Sequence, residues 1–279
     1  MRDASVHRAT FQALHERGCF VIPNPWDAGT ARALEELGFQ ALATTSAGMS
    51  FSRGLPDSIS ALALENALEH IAEIVAATDL PVNADFQAGY APDADGVGAN
   101  VRRCVETGVS GLSVEDATGN SDAPLFEFSE AVERLGAARA AIDSSGAGVL
   151  LTARAECFLV GHPDPLSESI RRLQAYAEAG ADVLFAPGVR DRDEIRVLVE
   201  SVHPWPVNVL VRANTGLRAA DLAELGVRRI SVGSALARAA WGAFLRAARE
   251  IAHQGSFAGL DGAASFGELN ALFERPRPR

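Results

Sequence analysis

A chain of 279 residues with 48% hydrophobic and 22% charged residues has ample material for a core, which excludes a disordered polypeptide. Its formal charge of −11 excludes a general binder of nucleic-acid backbones, because that affinity rests on Lys and Arg neutralising phosphates. The three unclustered cysteines, Cys19, Cys104 and Cys157, suggest neither a disulfide framework nor a zinc knuckle, and no apolar run reaches the roughly 18 residues of a membrane span.

A cytoplasmic protein with no membrane or nucleic-acid partner is therefore expected. In chain order, a strand at Cys19–Pro23 precedes a helix at Ala28–Leu37, and a strand at Ala41–Thr45 leads through the long loop Ala47–Ser58 to a helix at Ala61–Ala77. Strands at Pro81–Asp85 and Gly111–Glu115 flank a helix at Val97–Thr107. The irregular stretch Ala117–Phe128 then leads to a helix at Ser129–Ser144. The remaining strands are Val149–Arg154, Val183–Ala186, Pro206–Leu210 and Arg229–Val232, with helices at Leu166–Ala179, Asp191–Val202, Ala219–Leu225 and Ser234–His253. Strict alternation of eight strands with helices implies parallel strands with helical crossovers, an α/β chain closed into a single (β/α)8 TIM barrel.

The helix-to-strand joints repeat a signature: Glu36-Leu37-Gly38, Glu106-Thr107-Gly108, Glu178-Ala179-Gly180 and Glu224-Leu225-Gly226. Glycine suits the left-handed residue just past a helix end, so these read as C-caps. In the last helix Leu236, Trp241, Phe244 and Leu245 fall at helical spacing and are expected to cover the barrel or a second subunit. Residues 1–255 are taken as the catalytic barrel. The weakly periodic residues 256–279, ending ERPRPR, are taken as a tail packed on the barrel or a neighbouring subunit.

Catalytic groups of such a barrel sit at the C-terminal ends of strands. Asp85, Glu115 and Asp116 lie at two of these ends, where their carboxylates can converge on a hard cation such as Mg2+, with Mn2+ as the alternative. Another reading has the aspartates capping local structure and Glu115 paired with Arg154. Arg154 offers a planar fork for a carboxylate or phosphonate, or else a salt bridge to Glu115 or Glu156. Ser46, Ala47 and Gly48 supply a hydroxyl and approachable backbone N–H groups for an oxyanion.

The segments PNPWDAGTARALEELGFQALATTSAG, VNADFQAGY, LSVEDATG, LTARAE and PVNVL resemble, in order and over about the first 240 residues, the isocitrate lyase/phosphoenolpyruvate mutase superfamily, in its carboxyvinyl-carboxyphosphonate phosphorylmutase-like branch. The resemblance implies a (β/α)8 barrel assembled as a homo-oligomer, dimer or tetramer, with the last helix exchanged between subunits. It implies Mg2+ at Asp85 and Glu115, oxyanion contacts from Ser46 through Gly48, and an anion contact from Arg154. By the same resemblance Asp57 matches an acid near the site, Trp26 and Asn208 match pocket positions, and Asn120 and Ser121 match a polar gating pair.

Departures narrow the reaction. After Glu115-Asp116 this chain reads ATGNSDAPLFEF, without the Lys-Lys/Arg-Cys-Gly-His segment of members that cleave isocitrate, and Cys157 is poorly placed as a substitute. Gln87 stands where many relatives carry a second acid near the metal. The sixth strand ends in LFAPG, without the histidine of phosphonopyruvate-processing members, while His162 reads as a loop residue. The expectation is an Mg2+-dependent lyase cleaving a C–C bond beside the activated carbon of a small 2-oxo or 2-hydroxy carboxylate. The alternatives are a phosphonomutase and a non-catalytic metabolite-binding barrel.

Overall fold

The computed structural model describes residues 3–59 and 61–274. Eight strands, β1 (Phe20–Ile22), β2 (Leu42–Ala43), β3 (Val82–Asp85), β4 (Gly111–Glu115), β5 (Leu150–Arg154), β6 (Val183–Phe185), β7 (Val207–Leu210) and β8 (Arg229–Ser231), form one parallel sheet in the order β1-β8-β7-β6-β5-β4-β3-β2. A backbone bond from Ala43 N–H to Pro23 O at 3.0 Å spans the remaining gap between β1 and β2. The fold is the (β/α)8 barrel expected from the alternation.

Eight of the helices follow the strand-helix rhythm: α2 (Ala28–Glu36), α4 (Leu64–Ala77), α5 (Ala94–Glu106), α6 (Phe128–Ser145), α7 (Pro165–Glu178), α8 (Arg192–Ser201), α9 (Ala219–Glu224) and α10 (Ala235–Gln254). Their starts are chemically marked. Asp27, Asp93 and Asp164 cap α2, α5 and α7 by accepting from Thr30 N, Gly96 N and Ser167 N, and Pro165 opens α7 with the φ it already prefers. The four glycines of the repeated joint, Gly38, Gly108, Gly180 and Gly226, all have positive φ, at 84°, 92°, 99° and 85°. A side chain would strain each of these turns into a strand.

Three elements depart from the sequence reading. Residues 4–16 form a helix, α1 (Ala4–Glu16), capped by Asp3, whose Phe11 is fully buried against His15 and Phe20 beneath the barrel. The expected loop Ala47–Ser58 instead begins inside α3 (Ser46–Ser52), capped by Thr45. Beyond Gly255 the chain makes a 3-10 turn at Ala258–Leu260 and then α11 (Phe266–Glu274), held to α2 by Arg32 Nη2 donating to Phe273 O at 2.8 Å. Residues 275–279, which complete the expected tail, lie outside the described residues. Of α10 only Ala237 is buried, and Leu236, Trp241, Phe244 and Leu245 remain exposed on this single chain, so they do not cover its own barrel. Among the described residues no helix is long and apolar enough to cross a membrane.

Candidate active site

Strand register assembles the site. Glu115 of β4 lies opposite Arg154 of β5, Arg154 opposite Phe185, Phe185 opposite Asn208, and Asn208 opposite Arg229 of β8. Residues opposite one another in parallel strands share a face, so Glu115, Arg154, Asn208 and Arg229 all face inward, descending from the last residues of β4 and β5 to the first residue of β8. Ser113 lies opposite Asp85, which brings that aspartate to the same end. Among these side chains opens a cavity of about 190 Å3, lined among others by Ser46, Ala47, Asp57, Asp85, Arg154 and Asn208.

Arg154 is the hub of the acidic wall. Its Nη1 lies 2.9 Å from both Asp85 Oδ1 and Glu115 Oε2, and its Nη2 lies 2.8 Å from Glu156 Oε1, which also accepts from Nε at 2.9 Å. The second oxygen of Asp85 accepts from Ser46 N at 2.9 Å and Ser46 Oγ at 2.8 Å. Three carboxylates therefore share one guanidinium. Burial, then repulsion from Glu156 and Asp85, pushes Glu115 well above the usual carboxylate range despite Arg154, and burial also raises Glu156. Burial pulls Arg154 down, but Glu115, Glu156 and Asp85 outweigh it and hold the guanidinium above its ordinary value. Asp57, at the rim, is raised by partial desolvation and then by the charge of Asp85.

The donor set suits a hard cation. Among the described residues no group of three His, Cys, Asp or Glu forms a ready cage, but Mg2+ commonly takes one or two carboxylates and keeps waters. Asp85 and Glu115 carry the surplus charge that a cation would relieve. Beside them Gln87, in a strained backbone conformation with φ of 44°, has a buried Oε1 without a hydrogen-bond partner.

Other expected residues fall differently. Ser46 and Ala47 line the cavity, yet Ser46 N–H is spent on Asp85 and Gly48 N–H on Thr45 Oγ1 at 3.2 Å, leaving Ala47 N–H the unengaged donor of the three. Gly48 and Trp26 pack on each other behind the cavity wall: a Cβ on Gly48 would come within 3.0 Å of Trp26 Cβ. Asn208 reaches the cavity floor, but its amide is occupied by Ser231 Oγ and Arg229 Nε at 2.9 and 3.0 Å. Asn120 and Ser121 lie outside the cavity in an exposed turn, where Asn120 Oδ1 accepts from Asp122 N at 3.0 Å. His162 is half-buried and folds back on Asp164, and Cys157 is buried with its thiol pushed up to about 11 by desolvation.

Asp116 does not join the cluster around Arg154. It accepts from Glu156 N at 2.8 Å, Tyr176 OH at 2.6 Å and Arg172 Nη1 at 3.0 Å, while Arg172 also donates to Phe126 O at 3.1 Å. This buried network fixes the backbone at Glu156 and the return of loop 117–127. Tyr176→Phe, which removes one bond to a buried carboxylate, is expected to cost about 1.5–3 kcal/mol in urea unfolding. An unchanged transition would show Asp116 to be held without it.

The sequence reading missed several cavity residues. Arg212, Arg229 and Arg238 line the cavity, and their local segments carry no signal that they converge. Glu156, offered by the sequence analysis as an ion-pair partner of Arg154, makes that pair and lies outside the cavity lining.

Fold and site together define a (β/α)8 barrel with a charged cavity at the carboxyl ends of its strands. The phosphoenolpyruvate phosphomutase family model matches residues 11–252. The chain belongs to this family, whose members are lyases and mutases. It is similar, at 47% identity and TM-score 0.93 with 98% of each chain covered, to a solved structure from Burkholderia cenocepacia J2315 assigned by inference as a lyase/mutase. It is 30% identical to the oxaloacetate decarboxylase of Pseudomonas entomophila, over 84% of this chain and 82% of that one. A solved phosphonopyruvate hydrolase in complex with oxalate and Mg++ shares 28% identity and TM-score 0.83, covering 95% of this chain and 94% of that one.

Proposed function

We propose that the chain is an Mg2+-assisted carbon–carbon lyase acting on a small 2-oxo or 2-hydroxy carboxylate, with decarboxylation of oxaloacetate as its simplest form. The observation that carries this reading is the cluster of Asp85, Glu115 and Glu156 around Arg154 beside the cavity. Asp85 and Glu115 would hold Mg2+, or Mn2+ in its place. When bound, the cation supplies Lewis-acid charge at the oxygen on the substrate's second carbon.

The chain's own groups do the rest. Ser46 fixes Asp85 through two hydrogen bonds, and Ala47 N–H points its unspent donor at charge developing on the substrate oxygen. Nη1 of Arg154, now shared by Asp85 and Glu115, is the edge for which a substrate carboxylate competes. As the carbon–carbon bond breaks, its electron pair moves toward the carbonyl and the carbon left behind takes a proton. Asp57, at the cavity rim and raised above its ordinary value by desolvation and then by Asp85, is the group placed to give that proton. The exposed apolar residues of α10, Trp241, Phe244 and Leu245, support a homo-oligomer, dimer or tetramer, built through this helix.

Purified protein supplied with Mg2+ and a panel of oxaloacetate, substituted malates and phosphonopyruvate is expected to release pyruvate or another C–C cleavage product from one of the first two. Turnover of phosphonopyruvate alone would instead establish phosphorus–carbon chemistry. Mg2+-dependent binding without turnover of any compound would establish a metabolite-binding barrel.

A further inference from the structure

The segment that follows Asp85 is bound along its whole backbone. Each carbonyl of residues 86–92 accepts a hydrogen bond. Gly89 N–H donates to Phe86 O and Glu115 N–H to Gln87 O, both at 2.9 Å. The Arg134 guanidinium, from α6, donates to Ala88 O, Ala91 O and Pro92 O at 2.9, 2.7 and 3.2 Å, and Asn100 Nδ2, from α5, donates to Gly89 O and Tyr90 O at 3.0 and 2.9 Å. Irregular segments usually leave such groups to water, and here two side chains take that place.

These ties hold a strained backbone. Gln87 and Tyr90 have φ of 44° and 54°, and Gly89 between them has 85°. Residues with side chains enter this region at a cost, so such conformations persist only where the surroundings impose them, and they gather at functional sites. The loop is also fitted to its helices, since a Cβ on Gly89 would come within 2.9 Å of the Val97 side chain of α5. Arg134 reaches the loop because α5 and α6 pack closely: a Cβ on Gly98 would lie 3.3 Å from Ala137 O. The arginine is only 2% exposed, and its ion pair with Glu130 is long, at 3.8 Å. Its guanidinium carbon sits 4.1 Å over the ring of Phe126, whose N–H donates to Asp116 O at 2.9 Å. One side chain thus grips both the loop leaving Asp85 and the chain that folds back on the end of β4.

We propose that Arg134, helped by Asn100, is a positioning residue for the cation site: it holds loop 86–92 in its strained form, so that Gln87 O grips Glu115 N–H and sets Glu115 beside Asp85. This inference rests on the reading above, in which Asp85 and Glu115 hold the metal. Neither Arg134 nor Asn100 lines the cavity, so both act through the loop. The loop starts at the residue after Asp85 and ends its first turn on the backbone of Glu115, which makes it a strut between the two acids. A small hard cation demands near-ideal ligand geometry, so a strut that loosens lowers affinity without removing a ligand. Released from Arg134, Gln87 is free to relax to negative φ and turn its carbonyl away from Glu115.

Calorimetric titration of Mg2+ and Mn2+ into the full chain reads the site, and amide hydrogen exchange of the metal-free protein reads the loop. Arg134→Lys keeps a buried positive charge, but one ammonium cannot reach three carbonyls, and Asn100→Ala removes the other tie from a half-buried position. Both variants are expected to weaken metal binding by at least about tenfold, the usual cost of losing support behind a metal ligand. Both should also speed exchange at Glu115 N–H, whose acceptor is released, while the amides of β6 and β7 exchange as in wild type. Ile195→Val, a buried truncation in α8, should lower the thermal midpoint and leave metal affinity and Glu115 exchange unchanged. That contrast separates positioning from general stability. Wild-type metal affinity or unchanged Glu115 exchange in either folded variant would overturn the positioning role and leave the metal assignment standing. So would an equal loss of affinity in Ile195→Val. If Arg134→Lys does not fold, Asn100→Ala decides alone. Wild-type protein that binds neither cation would remove the metal assignment, and this inference with it.

Discussion

Arg154→Ala is expected to abolish measurable turnover and to destabilise the fold, whereas Arg154→Lys is expected to keep the fold and still lower kcat/KM by at least about tenfold, roughly 1.4 kcal/mol of transition-state stabilisation. The geometry requires the two to differ. Alanine leaves Asp85, Glu115 and Glu156 without the guanidinium that joins them. Removing one partner of a buried ion pair commonly costs about 3–5 kcal/mol, because uncompensated charge remains in the interior. Lysine restores a positive charge, but not a planar group that can reach Glu156 through Nε and Nη2 while presenting Nη1 to Asp85 and Glu115. Steady-state kinetics and thermal unfolding on both variants separate the roles. Full activity in Arg154→Lys would show that the planar fork is not needed to present a donor to the substrate, and activity lost only in step with unfolding would leave Arg154 a purely structural clasp.

The second large effect is expected at the metal-holding acids, where stability and affinity should move in opposite directions. Glu115 is pushed well above its ordinary range by burial and by its acidic neighbours. A carboxyl raised on folding contributes stability below its unfolded value and loses it as the pH climbs through the folded one. Ionisation of Glu115, as the pH climbs through its raised folded value, therefore weakens the metal-free protein. Glu115→Gln should relieve this and raise the metal-free thermal midpoint, while weakening Mg2+ and Mn2+ binding by at least about tenfold through the lost anionic ligand. Asp85→Ala should weaken the metal similarly, and it also frees Ser46 N–H and Oγ from their shared acceptor. Titration calorimetry with thermal unfolding reads both. Wild-type metal affinity in both variants would remove the metal assignment, and a lower metal-free midpoint in Glu115→Gln would show that Arg154 more than compensates the glutamate.

Much of the barrel was legible because its signals are local. Eight apolar runs, the amphipathic segments between them and four Glu-x-Gly joints each report on a few neighbouring residues, and all four joint glycines adopt the left-handed conformation expected of them. Helix α1 was overlooked although Asp3 caps it, because its apolar side is narrow and charged residues are spread along it. Helix α3 was read as loop because Gly48 and the serines around it lower helix propensity, which Thr45 capping and burial of Ala47, Gly48, Met49 and Ser50 override.

By itself the amino-acid order determined the strand-helix alternation, the parallel barrel that follows from it, and the strand ends that carry Ser46, Asp85, Glu115 and Arg154. Those are consequences of short-range pattern and chain connectivity. Only the tertiary structure decided that one guanidinium serves three carboxylates, that Asp116 turns away to Tyr176 and Arg172, and that Asn120 and Ser121 stay outside the cavity. It alone brought Arg212, Arg229 and Arg238 to the wall opposite Asp85. The physical reason is register and closure: which side chains share a layer depends on how each strand slides against its neighbour and on the loops meeting over the barrel, and neither is written in any local run of residues.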